Sequence, residues 1–276
     1  MKLAVLADVH ANWQALQAVA AHIERWQPDW VVVAGDVVNR GPSPAECWDF
    51  VLHQQRECGW QLVLGNHEEY VLHHARTREP VAGPWIQIWG SSLWTYQRLN
   101  GDVSALEALP FQHSWRMPDG SEARVVHASM RGTRDGIFSL TPDKLLRRQI
   151  APPPKLIVVG HTHVPLIRSI DETLVVNVGA VGLPFDGDQR ACYAQLTWHA
   201  AEWQAVIVRV DYDKVQADRD YDETGFVDEA GPIALLIRDE RARAKSNLFE
   251  WTRDYEAAVA AGELSMAEAV KRFLAG

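Results

Sequence analysis

Apolar residues in this chain fall into two patterns. The first is a set of short runs that stop on polar or ionisable side chains. They cover Leu3–His10 (LAVLADVH), Val31–Asp36 (VVVAGD), Gln61–Glu68 (QLVLGNHE), Ala123–His127 (ARVVH) and Leu156–His163 (LIVVGHTH). The second is helical spacing, as in Trp13, Leu16, Val19, Ala20 and Ile23, with Asn12 before it and Pro28 after it. Strands are expected at Trp30–Ala34 and Gln61–Leu64, with a helix from Pro44 to about Gln54 between them. Strands that alternate with helices predict a largely parallel sheet. Glu69 to about Leu109 reads as mostly helical, broken at Pro80, Gly83 and Pro84. From Ala123 onward short strands dominate, including LVVNVG from Leu174, CYAQLTW from Cys192 and QAVIVRV from Gln204.

This order predicts an α/β fold, a four-layer α/β/β/α sandwich of two mixed sheets packed face to face and flanked by helices. Residues 1–212 form its domain, with a helical insert at about 69–109. Residues 213–276 form a carboxy-terminal helical extension packed on it. Within the extension, helices are expected at Pro232–Ala244 and Asn247–Ala260, and Ser265 with Glu268 has capping-box spacing before a last helix that ends at Leu274. The extension carries no recognisable chemistry.

Composition narrows the class. Of 276 residues, 47% are hydrophobic, enough for a large core, but no stretch approaches the roughly 18 apolar residues of a membrane span. The first apolar run is interrupted by Asp8 and is too short for a secretion signal. Cys47, Cys58 and Cys192 form no CxxC pair, and an odd number suits a reducing compartment, so all three are expected as buried small hydrophobes. A soluble, cytoplasmic protein with no membrane partner is expected. The net charge of −9 argues against an extended nucleic-acid surface. It leaves room for an anionic substrate, because bound dications reverse the field inside a pocket.

The chemistry sits where the apolar runs stop. On an extended strand Asp8 and His10, two residues apart, point the same way and can grip one metal ion. Asp36, Asn66, His67, His127, His161 and His163 stand at the corresponding ends of the other runs, where α/β sheets bind their ligands. The pattern reads as a metal centre assembled from strand ends. The remaining histidines, His22, His53, His73, His74, His113 and His199, lie outside these blocks. His73 and His74 are adjacent and diverge on a helix. Most of the twelve tryptophans read as core. Trp13 and the cluster Trp85, Trp89 and Trp94 are the candidates for stacking on a substrate.

Together Asp8-x-His10, Gly35-Asp36, Gly65-Asn66-His67-Glu68, Val126-His127 and Gly160-His161-Thr162-His163 resemble the calcineurin-like metallophosphoesterase superfamily. The resemblance runs from about Lys2 to about Ala244 and includes the glycine-rich segment Asn177–Tyr193. It implies that Asp8, His10 and His163 hold one divalent cation, that Asn66, His127 and His161 hold another, and that Asp36 bridges the two. Mixed oxygen and imidazole ligands point to Mn²⁺ first, with Fe, Zn²⁺, Co²⁺ or Ni²⁺ as alternatives. The implied reaction is in-line attack on phosphorus by a water activated between the cations, with His67 as the general acid. The expected substrate is a small phosphodiester or phosphomonoester, a nucleotide among the candidates.

The stretch GDVVNRG and the GNHE motif also resemble the protein-phosphatase branch, whose arginine, here Arg40, binds phosphate. Protein phosphatase or dinucleoside polyphosphate hydrolase activity is therefore the alternative. A non-catalytic metal-binding scaffold is the rival from another class. Asn39 stands where that branch has an aspartate that orients the acid. Ala11 replaces the usual glycine after DxH, and Ala180 the serine that often follows Asn177-x-Gly179. Asn39, Arg40 and Arg131 are the substrate-binding candidates, and Arg134 is a loop arginine beside them. The oligomeric state is not legible.

Overall fold

The computed structural model describes residues 1–77 and 82–276. In chain order the amino-terminal half runs β1 (Lys2–Leu6), α1 (Trp13–Trp26), β2 (Trp30–Val33), α2 (Pro44–Cys58), β3 (Gln61–Leu62), α3 (Asn66–Arg76), α4 (Trp85–Ile88), α5 (Gly90–Arg98) and α6 (Ser104–Glu107). The middle continues with β4 (Gln112–Arg116), β5 (Glu122–Val126), α7 (Asp143–Gln149), β6 (Leu156–Val159), β7 (Leu166–Ile170), β8 (Thr173–Asn177), β9 (Ala191–His199) and β10 (Glu202–Val210). The tail is helical: α8 (Lys214–Glu223), α9 (Phe226–Ala230), α10 (Ile233–Arg243), α11 (Leu248–Trp251), a π-helical turn at Thr252–Glu256, α12 (Ala257–Ala260) and α13 (Met266–Ala275).

The strands form two mixed sheets, ordered β10-β9-β1-β2-β3 and β4-β5-β6-β8-β7. β1, β2 and β3 are parallel, as are β5, β6 and β8. Their near-continuous apolar runs follow from burial on both faces. In β1, Leu3 and Val5 enter the layer between the sheets while Ala4 and Leu6 face α1 and α2. In β6, Leu156 and Val158 meet them from the opposite sheet, and Ile157 and Val159 turn outward to Leu146 of α7. Period-two alternation between two apolar environments thus builds the helix–sheet–sheet–helix sandwich that the pattern predicts.

Several boundaries differ from expectation. The second helix continues four residues past Gln54 to Cys58 and stops where Gly59 takes φ +70. β3 is only two residues long because Leu64 leaves the ladder to bond Pro110 O. Cys58 is exposed at the end of α2, unlike the buried Cys47 and Cys192. Ser265 caps α13 by accepting from Glu268 N, but the Glu268 carboxylate pairs with Arg272 instead of completing the box. Pro84 precedes α4, whereas Pro80 lies outside the described residues. The tail helices share an apolar cluster with Trp94 of α5, built on Tyr221, Phe226, Ile237, Trp251 and Val270. Among the described residues no helix is long and apolar enough to cross a membrane.

Candidate metal centre

The parallel strands end together, and the loops that follow them are left-handed. β1 stops at Leu6, so Asp8 (φ 55°) and His10 (φ 47°) converge through a coiled loop and not through extended alternation. That loop is zipped to the one after β2 by Asp8 N to Gly35 O, His10 N to Asp36 O and Ala11 N to Val37 O, at 2.9 to 3.2 Å. Asp36, Asn39, Arg40, His161 and His163 also have positive φ, between 55° and 70°. Each left-handed non-glycine residue costs about 1–2 kcal/mol, and such strain collects at functional sites. Ala11, at φ 50° in the place of the usual glycine, is one of them.

The inward-facing atoms are lone pairs without donors. His10 Nδ1 lies 3.3 Å from Asn39 O, His127 Nδ1 2.8 Å from Ala34 O and His163 Nδ1 2.5 Å from Leu183 O. A carbonyl only accepts, so each Nδ1 carries a proton; the Nε2 atoms of His10 and His163 present lone pairs to the centre, and His127 Nε2 does so once its second proton is displaced. His10 Nε2 and His163 Nε2 then face each other at 3.1 Å, and His127 Nε2 lies 2.9 Å from Asn66 Oδ1. Asp8 Oδ1 and Asp36 Oδ2 point into the same space and have no hydrogen-bond partner, though both are buried. Asp8 Oδ1 is 3.5 Å from His163 Nε2, and Asp36 Oδ2 is 3.3 Å from His127 Nε2. Such acceptors would repel one another unless cations lay between them.

Asp8, His10, Asp36 and His163 each offer a ligand atom within 4.8 Å of the others, and so do Asp36, His127 and His161. The two sets share Asp36, and Asn66 adds its amide oxygen to the second. The donor set fits two divalent cations.

Electrostatics agree with that fit. Burial lowers His10 to about 3 and His161 to about 4, and it holds His163 well below the usual range, so all three stay neutral. Burial also raises the Asp8 carboxyl. His127 is the exception. Burial works against its cation, but the Asp36 carboxylate beside it outweighs burial and lifts it to about 10. Asp36 in turn is held well below the usual carboxylate range by His127 and His67, although burial works to raise it. In the protein alone this pair keeps a proton on His127 that a cation would displace.

A second ring of residues fixes the ligands. The Glu68 carboxylate is fully buried and accepts four backbone N–H groups, from Asp36, Val37, Val38 and Gly65, at 2.8 to 3.3 Å. Burial raises it to about 7, with the Asp36 charge adding to the shift. Asp36 Oδ1 accepts His67 N at the start of α3, at 2.9 Å. Gly65 is required by close approach, since a Cβ there would lie 2.1 Å from Asp36 Oδ1. Asn177 Nδ2 donates to Gly160 O and Thr162 Oγ1 and so ties down the loop that bears His161 and His163.

His67 forms the border between the ligand cluster and a cavity of about 210 Å³. Its ring lies 4.7 Å from that of His10, edge to face. Asn39 Nδ2 is 2.8 Å from His67 Nδ1, while Asn39 Oδ1 accepts from Arg40 N and Ser91 Oγ, both at 2.7 Å. Those donors fix the amide, so Asn39 donates to Nδ1 and leaves the imidazole proton on Nε2. Arg40 also lines the cavity, and among the described residues its guanidinium has no hydrogen bond or ion pair.

The remaining candidates lie elsewhere. Arg131 is on the surface, paired with Asp135, outside the cavity lining. Arg134 pairs with Glu69 and covers the Tyr70 ring that lines the cavity. Trp13 packs on Phe50, Trp94 is core and Trp85 is 43% exposed, whereas Trp89 lines the cavity. His22 and His113 bond Tyr193 and Leu62 away from the centre. Sequence reasoning assigned no role to Glu68, Ser91 or Asn177, or to the tail side chains described below. Glu68 lies in the GNHE motif and Asn177 opens the glycine-rich segment, and those positions were the available signal.

Comparisons with known proteins follow the same outline. The model of the calcineurin-like phosphoesterase superfamily domain matches residues 1–201. The protein MJ0912 of Methanocaldococcus jannaschii is 28% identical over 229 residues, covering 76% of this chain and 88% of its own. A metallophosphoesterase from Sphaerobacter thermophilus is similar at 27% identity and TM-score 0.66, covering 88% of this chain and 100% of its own. Protein PH1004 from Pyrococcus horikoshii shares the fold, with TM-score 0.70 at 19% identity over 83% of this chain and 95% of its own.

Proposed function

The chain belongs to the calcineurin-like phosphoesterase superfamily, hydrolases of phosphate esters, and from that premise we propose that it cleaves a small phosphodiester or phosphomonoester, a nucleotide among the candidates. The observation that supports this most is the set of buried, unpartnered oxygens on Asp8 and Asp36 and the facing Nε2 lone pairs of His10 and His163, with Asn66 and His127 beside them, next to a cavity lined by the Arg40 guanidinium. Asp8, His10, Asp36 and His163 would hold one cation, and Asp36, Asn66, His127 and His161 the other, with Mn²⁺ the first candidate. Bound there, two dications would activate water and neutralise phosphoryl charge.

The chain's own groups do the rest. Arg40 binds two phosphoryl oxygens through its fork. His67 points Nε2–H at the departing ester oxygen, and Asn39 fixes that tautomer. Burial keeps His67 well below its ordinary range. A neutral imidazole with a donor on its Nδ1 stabilises a leaving alkoxide by hydrogen bonding more than by full proton transfer. Esters with good leaving groups are therefore favoured, which narrows the general-acid role expected for His67. The cavity is small, and that favours a small ester over a folded phosphoprotein.

Turnover of phenyl and bis(4-nitrophenyl) phosphate with added Mn²⁺ tests the reading, with a phosphopeptide alongside. Chelator-sensitive hydrolysis of the small esters is expected. Turnover of the phosphopeptide alone, or turnover that survives chelation, would contradict it.

A further inference from the structure

The carboxy-terminal tail walls the cavity. Trp89 comes from the insert, and Ile233, Ile237, Leu248, Trp251 and Glu256 all come from beyond residue 212. The wall is braced. Glu240 is fully buried, and its Oε1 accepts the backbone N–H groups of Asn247 and Leu248 at 2.7 and 2.8 Å, which fixes the turn that presents Leu248 and Trp251. Directly after Trp251 the helix widens into a π-helical turn over Thr252–Glu256, and both end residues of that turn line the cavity. Single π-helical turns are rare and occur frequently at functional sites. Trp251 is 1% exposed, and its indole N–H has no acceptor among the described residues.

The charges of the lining are divided. Arg40 and Glu256 are its one arginine and its one carboxylate among the described residues. Arg40 sits next to Asn39 and His67, on the side of the ligand cluster, where a phosphoryl group is expected. Glu256 comes from the tail and repels a second anion. The rest of the lining is largely indole and aliphatic, from Trp89, Trp251, Ile233, Ile237 and Leu248, and suits a flat, apolar body.

We infer that the carboxy-terminal helices complete the substrate site. The cavity beside His67 takes the organic moiety of the phosphate ester and selects a small planar group that carries a neutral or cationic hydrogen-bond donor, and Glu256 is the residue that sets this preference. The inference rests on the phosphoesterase reading for the identity of the anion, but not for the selection itself.

Calorimetric titration of the Mn²⁺-loaded protein with 4-(aminomethyl)phenylphosphonate and 4-carboxyphenylphosphonate tests it, with phenyl phosphate turnover measured in parallel. The wild type should bind the aminomethyl compound at least about tenfold tighter. Glu256→Gln should shrink the ratio to within about threefold, and Glu256→Lys should invert it, at unchanged metal content. A wild type without the preference, or a ratio that stays within about twofold across the variants, overturns the inference even if phenyl phosphate is hydrolysed. A ratio that switches as expected in a protein that hydrolyses no phosphate ester supports the pocket and overturns the phosphoesterase reading instead.

Discussion

Asn39 and His67 show how one atom type can set chemistry. The Asn39 amide is pinned by Arg40 N–H and by the Ser91 hydroxyl, so it offers His67 a donor where the related protein-phosphatase pattern offers a carboxylate. An aspartate at position 39 would accept from Nδ1 and favour the imidazolium, a stronger acid. Asn39→Asp is therefore expected to raise kcat/KM for an alkyl phosphate by about tenfold or more relative to 4-nitrophenyl phosphate. A ratio that does not move would show that His67 does not serve the leaving group. At this scale the sequence was informative, because Asp8, His10, Asp36, Asn66, His127, His161 and His163 each close an apolar run, and the structure brings these residues together. Glu68 was not recognised: its bond to Gly65 N–H is local, but the other three amides it holds, of Asp36, Val37 and Val38, lie on a loop about thirty residues away that nothing beside Glu68 reports.

Among the elements, the strands were legible because burial on both faces leaves unbroken Val, Ile, Leu and Ala runs, as in Val31–Ala34 and Leu156–Val159. The left-handed loops were not. The sign of φ at Asp8 or His161 follows from pairing between loops that are distant in sequence, not from the residue itself. The α3–α5 contact offers a test that is independent of the ligand cluster. His74 on α3 bonds Ser92 on α5 at 2.9 Å and packs against Trp89, and burial lowers it to about 4. Its folded pKa lies below its unfolded value near 6.5, so the unfolded chain binds more protons between the two. The stability this contact contributes is thus present above about 6.5 and lost as pH falls toward 4. His74→Gln is expected to lose less Tm between pH 7 and 4.5 than the wild type. An equally steep fall in the variant would place the acid sensitivity elsewhere.

The whole molecule sets a net charge of −9 around a pocket whose donorless lone pairs call for positive charge. Two sheets bring five loop ends to one edge, and the tail helices, whose composition announced only a polar helical segment, reach back to roof the cavity beside them. That contact was illegible because it joins residues far apart in the chain with no shared motif. We propose that Asp36 joins the two cation sites. Elemental analysis of the purified, Mn²⁺-reconstituted wild type and Asp36→Ala tests it most directly. About two divalent cations per wild-type chain and fewer than one in the variant are expected, with phosphoester turnover reduced by about a thousandfold or more. A wild type that holds no cation, or a variant that keeps both cations and its turnover, would contradict it.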